Sequence, residues 1–349
     1  MALAWNRRMG CFSSRLHNAA LAAAVAVGAT TATTHAQTLW SARNVNGQNT
    51  VVKFAATIPA TPIVVGNVTL PGTQYLISGL DFTPDGRLWA IVQGNGPAQG
   101  LYQVNRSTGA LTAVGTPFGF SSGFFLSDLS WDPKTHRLVA IATAGVGSNV
   151  ALVSFDINTG VGVTTRYYTS PYSSLFVGLA FKPDGVPLLL DVQQDWIMQP
   201  NGAGILLDLG SVLGFNANYS QGMGTEYTGA NIGRTWYTAY SWTDGTPLLM
   251  RVNLPGGWLT TFGALPGGST ATYGDVAAEP IVDTCAADFT DDNEVADSDF
   301  VVFANQYNEF DCSASSMPGS CSADLNFDGV VNDTDFVLFA TAYEALVCP

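Results

Sequence analysis

The chain has 349 residues, with 27 Asp and Glu against 13 Lys and Arg, a formal charge of −14. That sign excludes a nucleic-acid partner, whose phosphates would be repelled. Two of the three histidines, His17 and His35, lie in the first 36 residues, so His136 alone remains beyond them, which excludes a multi-histidine metal centre and argues against a Ser-His-Asp triad.

Residues 1–36 have the pattern of a secretory signal. Arg7, Arg8 and Arg15 precede an apolar run from Ala19 to Ala29, which is too short to span a bilayer. The small residues "THA" then offer cleavage after Ala36. Arg7-Arg8 leaves twin-arginine export open beside the general route. Cleavage would leave ten basic and 27 acidic residues. No later stretch is long and apolar enough to cross a membrane, so the expected location is secreted, extracellular or at the cell surface.

Residues 37–280 show no helical period. They are rich in Gly, Thr, Val and aromatics, with turn signals at short intervals. Related segments begin at Gly79 ("GLDFTPDGRLWAIV"), Asp128 ("DLSWDPKTHRLVAIA"), Gly178 ("GLAFKPDGVPLLLDV"), Gly224 ("GTEYTGANIGRTWYTAY") and Asp275 ("DVAAEP"), at intervals of 49, 50, 46 and 51 residues. Four short strands per interval predict propeller blades. Residues 37–70 supply three strands without an inner one, and "YGDVAAEP" supplies an inner strand with nothing after it. Together they complete one blade, which clasps the ring and removes two sheet edges. The expectation is a mostly β fold with a five-bladed propeller. A six-bladed ring, or a pair of β-sandwiches, is the alternative. Exported propellers with Pro-Asp-Gly repeats resemble this segment in architecture, which carries no activity.

Aligned on the inner strands, Asp81 and Glu226 share one position, and Asp128 and Asp275 share the position two earlier. Residues two apart face the same way, so these four carboxylates, with Asp191 near them, are candidates for a channel able to hydrolyse glycosidic bonds. The competing reading is structural: such carboxylates accept backbone N–H groups of the next blade, and Thr83 to Gly86 simply form a turn. Trp196, Trp236, Tyr237, Tyr240, Trp242 and Trp258 offer faces for sugar stacking. The alternation of Trp236, Tyr240 and Trp242 is instead that of side chains wedged between blades.

At residue 281 the composition changes. Residues 281–349 hold 14 acidic and no basic residues, and Cys285, Cys312, Cys321 and Cys348, the usage of a small disulfide-clipped exported module. "ADLNFDGVVNDTDF" (323–336) places Asp324, Asn326, Asp328, Gly329, the Val330 carbonyl and Asp335 at positions 1, 3, 5, 6, 7 and 12 of a calcium loop. "ADFTDDNEVADSDF" (287–300) repeats it with Asp288, Thr290, Asp292, Asn293, Glu294 and Asp299. The offset of 36 residues also relates Cys285 to Cys321 and Cys312 to Cys348. Two Ca2+ sites are expected, the second tighter, since Thr290 offers only a hydroxyl. Each loop runs into a helix whose aromatics, Phe300, Phe303, Tyr307 and Phe336, Phe339, Tyr343, fall at i, i+3, i+7 and are expected to form one shared core seam. The simplest cysteine pairing is within each unit, Cys285–Cys312 and Cys321–Cys348, with other pairings open.

A calcium loop followed by a single helix, twice in some 60 residues, resembles a dockerin module. The resemblance implies calcium-dependent folding and attachment to a cohesin-like or cell-surface anchor protein, often on behalf of polysaccharide-degrading enzymes. It also implies partner contacts from loop positions 10 and 11, here Asp297, Ser298, Asp333 and Thr334. The familiar Ser-Thr pair survives only as Ser298 and Thr334, and the cysteines depart from the usual cellulosomal pattern. The whole therefore reads as a signal (1–36), a propeller (37–280) that binds or displays a ligand such as carbohydrate without catalysis, and a calcium module (281–349). A propeller glycoside hydrolase carried by the same anchor is the alternative.

Overall fold

The computed structural model describes residues 37–70, 76–94, 98–115, 125–143, 146–211, 217–254, 258–283, 285–290, 292 and 294–345. The expected signal, Thr284, Asp291, Asn293 and Cys348 lie outside that set.

Five antiparallel sheets form the body. The clasp blade joins Thr38–Val45, Gln48–Ala55 and Ile63–Asn67 to Ala271–Tyr273 and Ala277–Ala278, which pair with the first strand. Blade 2 is Leu76–Phe82, Leu88–Gln93, Gly100–Val104 and Leu111–Ala113. Blade 3 runs Phe125–Asp132, Arg137–Thr143, Gly147–Phe155 and Gly162–Ser174. Blade 4 is Phe176–Phe181, Pro187–Asp191, Trp196–Pro200 and Leu206–Ser211. Blade 5 is Ala217–Thr225, Thr235–Ser241, Thr246–Asn253 and Trp258–Ala264. Each expected segment start falls in or beside an inner strand, and the ends close the ring as the strand count requires.

Five apolar clusters fix the number of blades, because each lies between two neighbours. Trp89 and Ile91 meet Leu129 and Trp131 between blades 2 and 3. Ile141 and Leu152 meet Phe176 and Leu189 between blades 3 and 4. Leu190 and Ile197 meet Tyr237 and Met250 between blades 4 and 5. Trp236 and Leu249 meet Leu39 and Phe54, and Trp40 and Val51 meet Leu80 and Phe82, closing the circle through the clasp blade. Alternating strands have two apolar faces to cover, and a closed ring covers both without a free edge. The inner strands approach one another too closely for side chains at some points. A Cβ on Gly79 would stand 2.4 Å from the Asp128 carbonyl carbon, and one on Gly222 2.4 Å from the Asp275 Cα.

Beyond the ring, α1 (Asp297–Tyr307) and α2 (Asp333–Ala345) follow the two loops. Residues 36–349 form one compact unit. The helices pack through Phe303 and Phe339, both 2% exposed, with ring centroids 5.2 Å apart. The aromatic seam is narrower than the i, i+3, i+7 spacing implied. Phe300 and Phe336 remain more than 40% exposed, and Tyr307 and Tyr343 reach across instead to donate to Asp333 Oδ1 (2.5 Å) and Asp297 Oδ1 (2.6 Å). These reciprocal bonds are the two-fold likeness of the repeat expressed in contacts. The cysteine pairing also differs from the within-unit expectation. Cys312 is joined to Cys321 across the connection between the two units, with Cα atoms 5.4 Å apart, and Cys285 is disulfide-bonded as well. The chain turns back after α1, bringing Cys312 beside Cys321 in the buried centre of the module.

Candidate functional site

Carboxylates stitch the centre of the ring together. Asp275 accepts from Leu80 N on blade 2 (2.5 Å) and from its own neighbour Val276 N (2.6 Å). Asp81 accepts from Phe82 N (2.8 Å) and from Trp131 N on blade 3 (2.7 Å). Asp128, itself at φ +51°, accepts from Leu129 N (2.9 Å), from Leu179 N on blade 4 and from Met223 N on blade 5 (3.2 Å). All three are buried. Burial pushes the Asp81 carboxyl up to about 8 and Asp128 up to about 7, against the N–H bonds that pull both down. Asp275 is raised well above the ordinary range, first by burial and then by Asp128, to which its side chain is hydrogen-bonded.

The structure separates Glu226 from this group. It accepts from Trp236 Nε1 (2.7 Å) and lies 3.6 Å from Arg234, within its own blade. Burial raises it, while Trp236 and Arg234 oppose the rise. Asp191 is buried at the other end of its blade, where Oδ1 accepts from Leu175 N and Gln193 N (both 3.0 Å) and Oδ2 has no partner among the described residues. Thus three of the four candidate carboxylates converge, and all three are engaged by backbone donors.

Above them the channel opens as a pocket of about 360 Å³ at the end of the ring where the inner strands begin. Its described walls include Leu76, Phe125, Val177, Ser127, Thr143 and Gln221 and carry no charge. Aromatics stand at the same end, beside the turns that follow the second strands. Tyr172 meets Trp196 edge-on at 4.8 Å, and Tyr240 meets Trp242 at 5.3 Å. Trp242 is 61% exposed, whereas Trp236, Tyr237 and Tyr240 are buried between blades. The side chain of Trp258 lies outside the described set.

In the tail, carboxylate oxygens of Asp288, Asp292 and Asp299 lie within 4.8 Å of one another. Asp299 also accepts from Phe289 N, Thr290 N and Ala296 N, and Glu294 donates its N–H to Asp292 Oδ1. Hard carboxylate donors at this spacing fit a calcium ion. In the second loop Asp335 accepts from Asn326 N and Asn332 N, and Asp328 accepts from Val330 N and Asn326 Nδ2. Burial pushes the Asp335 carboxyl up to about 6, with Asp324 and Asp328 adding repulsion. Those are the conditions a divalent cation reverses. Asp324 is shared differently. It accepts from Gly329 N (2.8 Å), and its Oδ2 stands 3.2 Å from His136 Nδ1 of the propeller. Asp297, Ser298, Asp333 and Thr334 lie exposed at the helix starts, with Asp297 and Asp333 holding the two tyrosines.

The composition gives no warning that the second loop docks on the propeller. Phe327, at loop position 4 and φ +56°, packs between Trp131 (6.0 Å) and His136 (5.9 Å). Arg87 donates to the Asn326 carbonyl (2.8 Å), Asn158 donates to Asp328 (3.3 Å), and Arg137 covers Gly329. These contacts come from the turns between first and second strands and between third and fourth, at the end opposite the mouth. The signal was one residue: an aromatic at a loop position that the first copy fills with Asp291.

No protein-family model and no curated protein matches the chain. Among solved structures it is similar to a protein of unknown function from Bacteroides caccae, at 11% identity over 67% of this chain and 74% of that one, with a TM-score of 0.41. Regucalcin from Agrobacterium tumefaciens, a calcium-binding protein, aligns at 16% identity over 66% and 75%, with a TM-score of 0.39. Virginiamycin B lyase from Staphylococcus aureus aligns at 13% identity over 63% and 68%, with a TM-score of 0.35. At these values the likenesses carry nothing about chemistry.

Proposed function

We propose that this is an exported, non-catalytic propeller that binds a ligand, carbohydrate foremost, at its mouth and is held in place by a calcium-dependent, dockerin-like tail. One observation carries the non-catalytic reading: the channel carboxylates that could serve as acid and base are buried and bound to backbone N–H groups of neighbouring blades. A glycosidase needs two carboxyls facing its substrate. The uncharged mouth, with Trp242 and the Tyr172–Trp196 pair beside it, suits stacking on a sugar face.

For the tail, Asp288, Thr290, Asp292, Asp299 and the Glu294 carbonyl would hold one calcium ion. Asp324, Asn326, Asp328, Asp335 and the Val330 carbonyl would hold the other. The ion would supply the positive charge that a segment without Lys or Arg lacks. Docking of the second loop leaves Phe300, Val301, Phe336, Val337 and Leu338 exposed on the helices, next to Ser298 and Thr334. That apolar strip is where a cohesin-like surface partner is expected to sit. The second site keeps the richer ligand set, with Asp324 Oδ2 also engaged by Gly329 N and His136 Nδ1.

The test is a panel of neutral and acidic oligosaccharides against the full chain, read for binding and for product. Binding without turnover, weakened about tenfold by Trp242→Ala, is the expected result. Release of reducing sugar would replace this reading with the glycosidase. Export is tested by sequencing the mature N-terminus, expected at Gln37.

A further inference from the structure

Ten Lys and Arg follow residue 36, and three of them line one cleft of about 810 Å³. Lys134, Arg137 and Arg166 converge at the seam of blades 3 and 4, and Ser313 of the tail forms part of the wall. Arg166 is held in place. It donates to Asp132 Oδ2 at 2.6 Å and is hydrogen-bonded to Tyr168, so its remaining N–H groups point in a fixed direction. Lys134 and Arg137 have no carboxylate partner among the described residues. The carboxylate on the wall, Asp184, pairs with Lys182 at 3.6 Å.

Cations serving only to neutralise the acidic tail would be paired with its carboxylates. Arg137 instead covers the Gly329 backbone, and Lys134 is exposed, with no ion-pair partner among the described residues. Two unpaired cations beside a fixed guanidinium form a positive recess in a chain of net charge −14, and a recess focuses that field. Its volume is in the range of small-molecule sites. Thr165 and Tyr168 add hydroxyls to the walls.

We propose that this cleft binds a saccharide bearing an oxyanion, either a uronate carboxylate or a sulfate ester. Arg166 and Arg137 would take the oxyanion, Lys134 would add a mobile charge, and the hydroxyls would meet the ring. The site lies away from the uncharged mouth and does not depend on what binds there.

Calorimetry on the full, calcium-loaded chain tests this with three probes: a galacturonate trimer, a sulfated galactose disaccharide and a neutral galactose trimer. The acidic probes, or one of them, bind, and the comparison between them names the oxyanion. Raising the salt from about 20 to about 200 mM weakens binding. Lys134→Ala lowers affinity about tenfold and Lys134→Glu abolishes it, while Trp242→Ala, at the mouth, leaves it unchanged. Lys134 is exposed, so these variants keep the fold, and an unchanged melting temperature verifies that. Equal binding of the neutral trimer, no binding of either acidic probe, or acidic binding indifferent to Lys134→Glu would each overturn the proposal. Loss of binding with Trp242→Ala alone would assign the sugar to the mouth instead.

Discussion

At the scale of single residues, the ring depends on carboxyls kept neutral by burial. Burial raises the Asp81 carboxyl to about 8 and Asp275 well above the ordinary carboxyl range. A carboxyl raised in the folded state binds more protons there than in the unfolded chain. Stability then falls as pH rises, from the unfolded value of about 4 up to the folded value near 8 for Asp81. With calcium saturating, the propeller should melt at a higher temperature at pH 5.5 than at pH 8.5. Asp81→Asn should flatten that dependence and lose about 1–3 kcal/mol, since the amide offers one acceptor oxygen where Phe82 N and Trp131 N require two. Asp128→Ala should be worse, because three buried N–H groups on three blades lose their acceptor together. Thermal melts across pH decide both. The inner-strand carboxylates were legible in the sequence as a set, because Asp81, Asp128 and Asp275 recur at blade spacing. Their direction was not: whether such a group faces the channel or the next blade depends on the bulge that turns Asp128 to φ +51°.

Between elements, the second loop and the turns of the propeller behave as one surface. Phe327 is seated against Trp131 and His136, while its backbone occupies a region that strains a large side chain. Phe327→Asn tolerates that backbone and removes the ring, so it isolates the contact. It should cost about 1–2 kcal/mol for the apolar area re-exposed and split a single melt into two, one for the tail and one for the ring. Differential scanning calorimetry reads this directly. His136→Ala should act oppositely on the metal: with Asp324 Oδ2 released, calcium should bind the second loop more tightly, measured by calorimetric titration. Period and spacing placed both helices, because the i, i+3, i+7 pattern is local. They could not tell which aromatics a neighbouring helix covers. Phe303 and Phe339 fill the seam, while Phe300 and Phe336 stand at its edge. Nor could an equal period of 36 reveal that Cys312 meets Cys321, since the turn after α1 sets that distance.

For the whole molecule, closure is the decisive event. The clasp blade takes its inner strands from Ala271–Tyr273 and Ala277–Ala278 and the rest from the chain's first strands. Asp275, between those inner strands, binds the Leu80 N–H of the next blade. Just past them Glu279 accepts from Trp40 Nε1 at 2.8 Å and pairs with Arg106 of blade 2. A chain stopped after Pro280 keeps every one of these contacts and should fold as a monomeric propeller, losing only the support of the docked tail. A chain stopped after Thr270 is ten residues shorter, yet it exposes the first-strand edge and the apolar faces of Trp40, Leu39 and Trp236 that the returning strands help bury. It also leaves the Leu80 N–H without its acceptor. Open edges beside exposed aromatics pair with other chains, so this version should aggregate or bind a hydrophobic dye while the longer one stays compact. Gel filtration and circular dichroism of the two truncations measure the difference. If the Thr270 version is as monomeric and as thermally stable as the Pro280 version, the ring does not depend on its clasp.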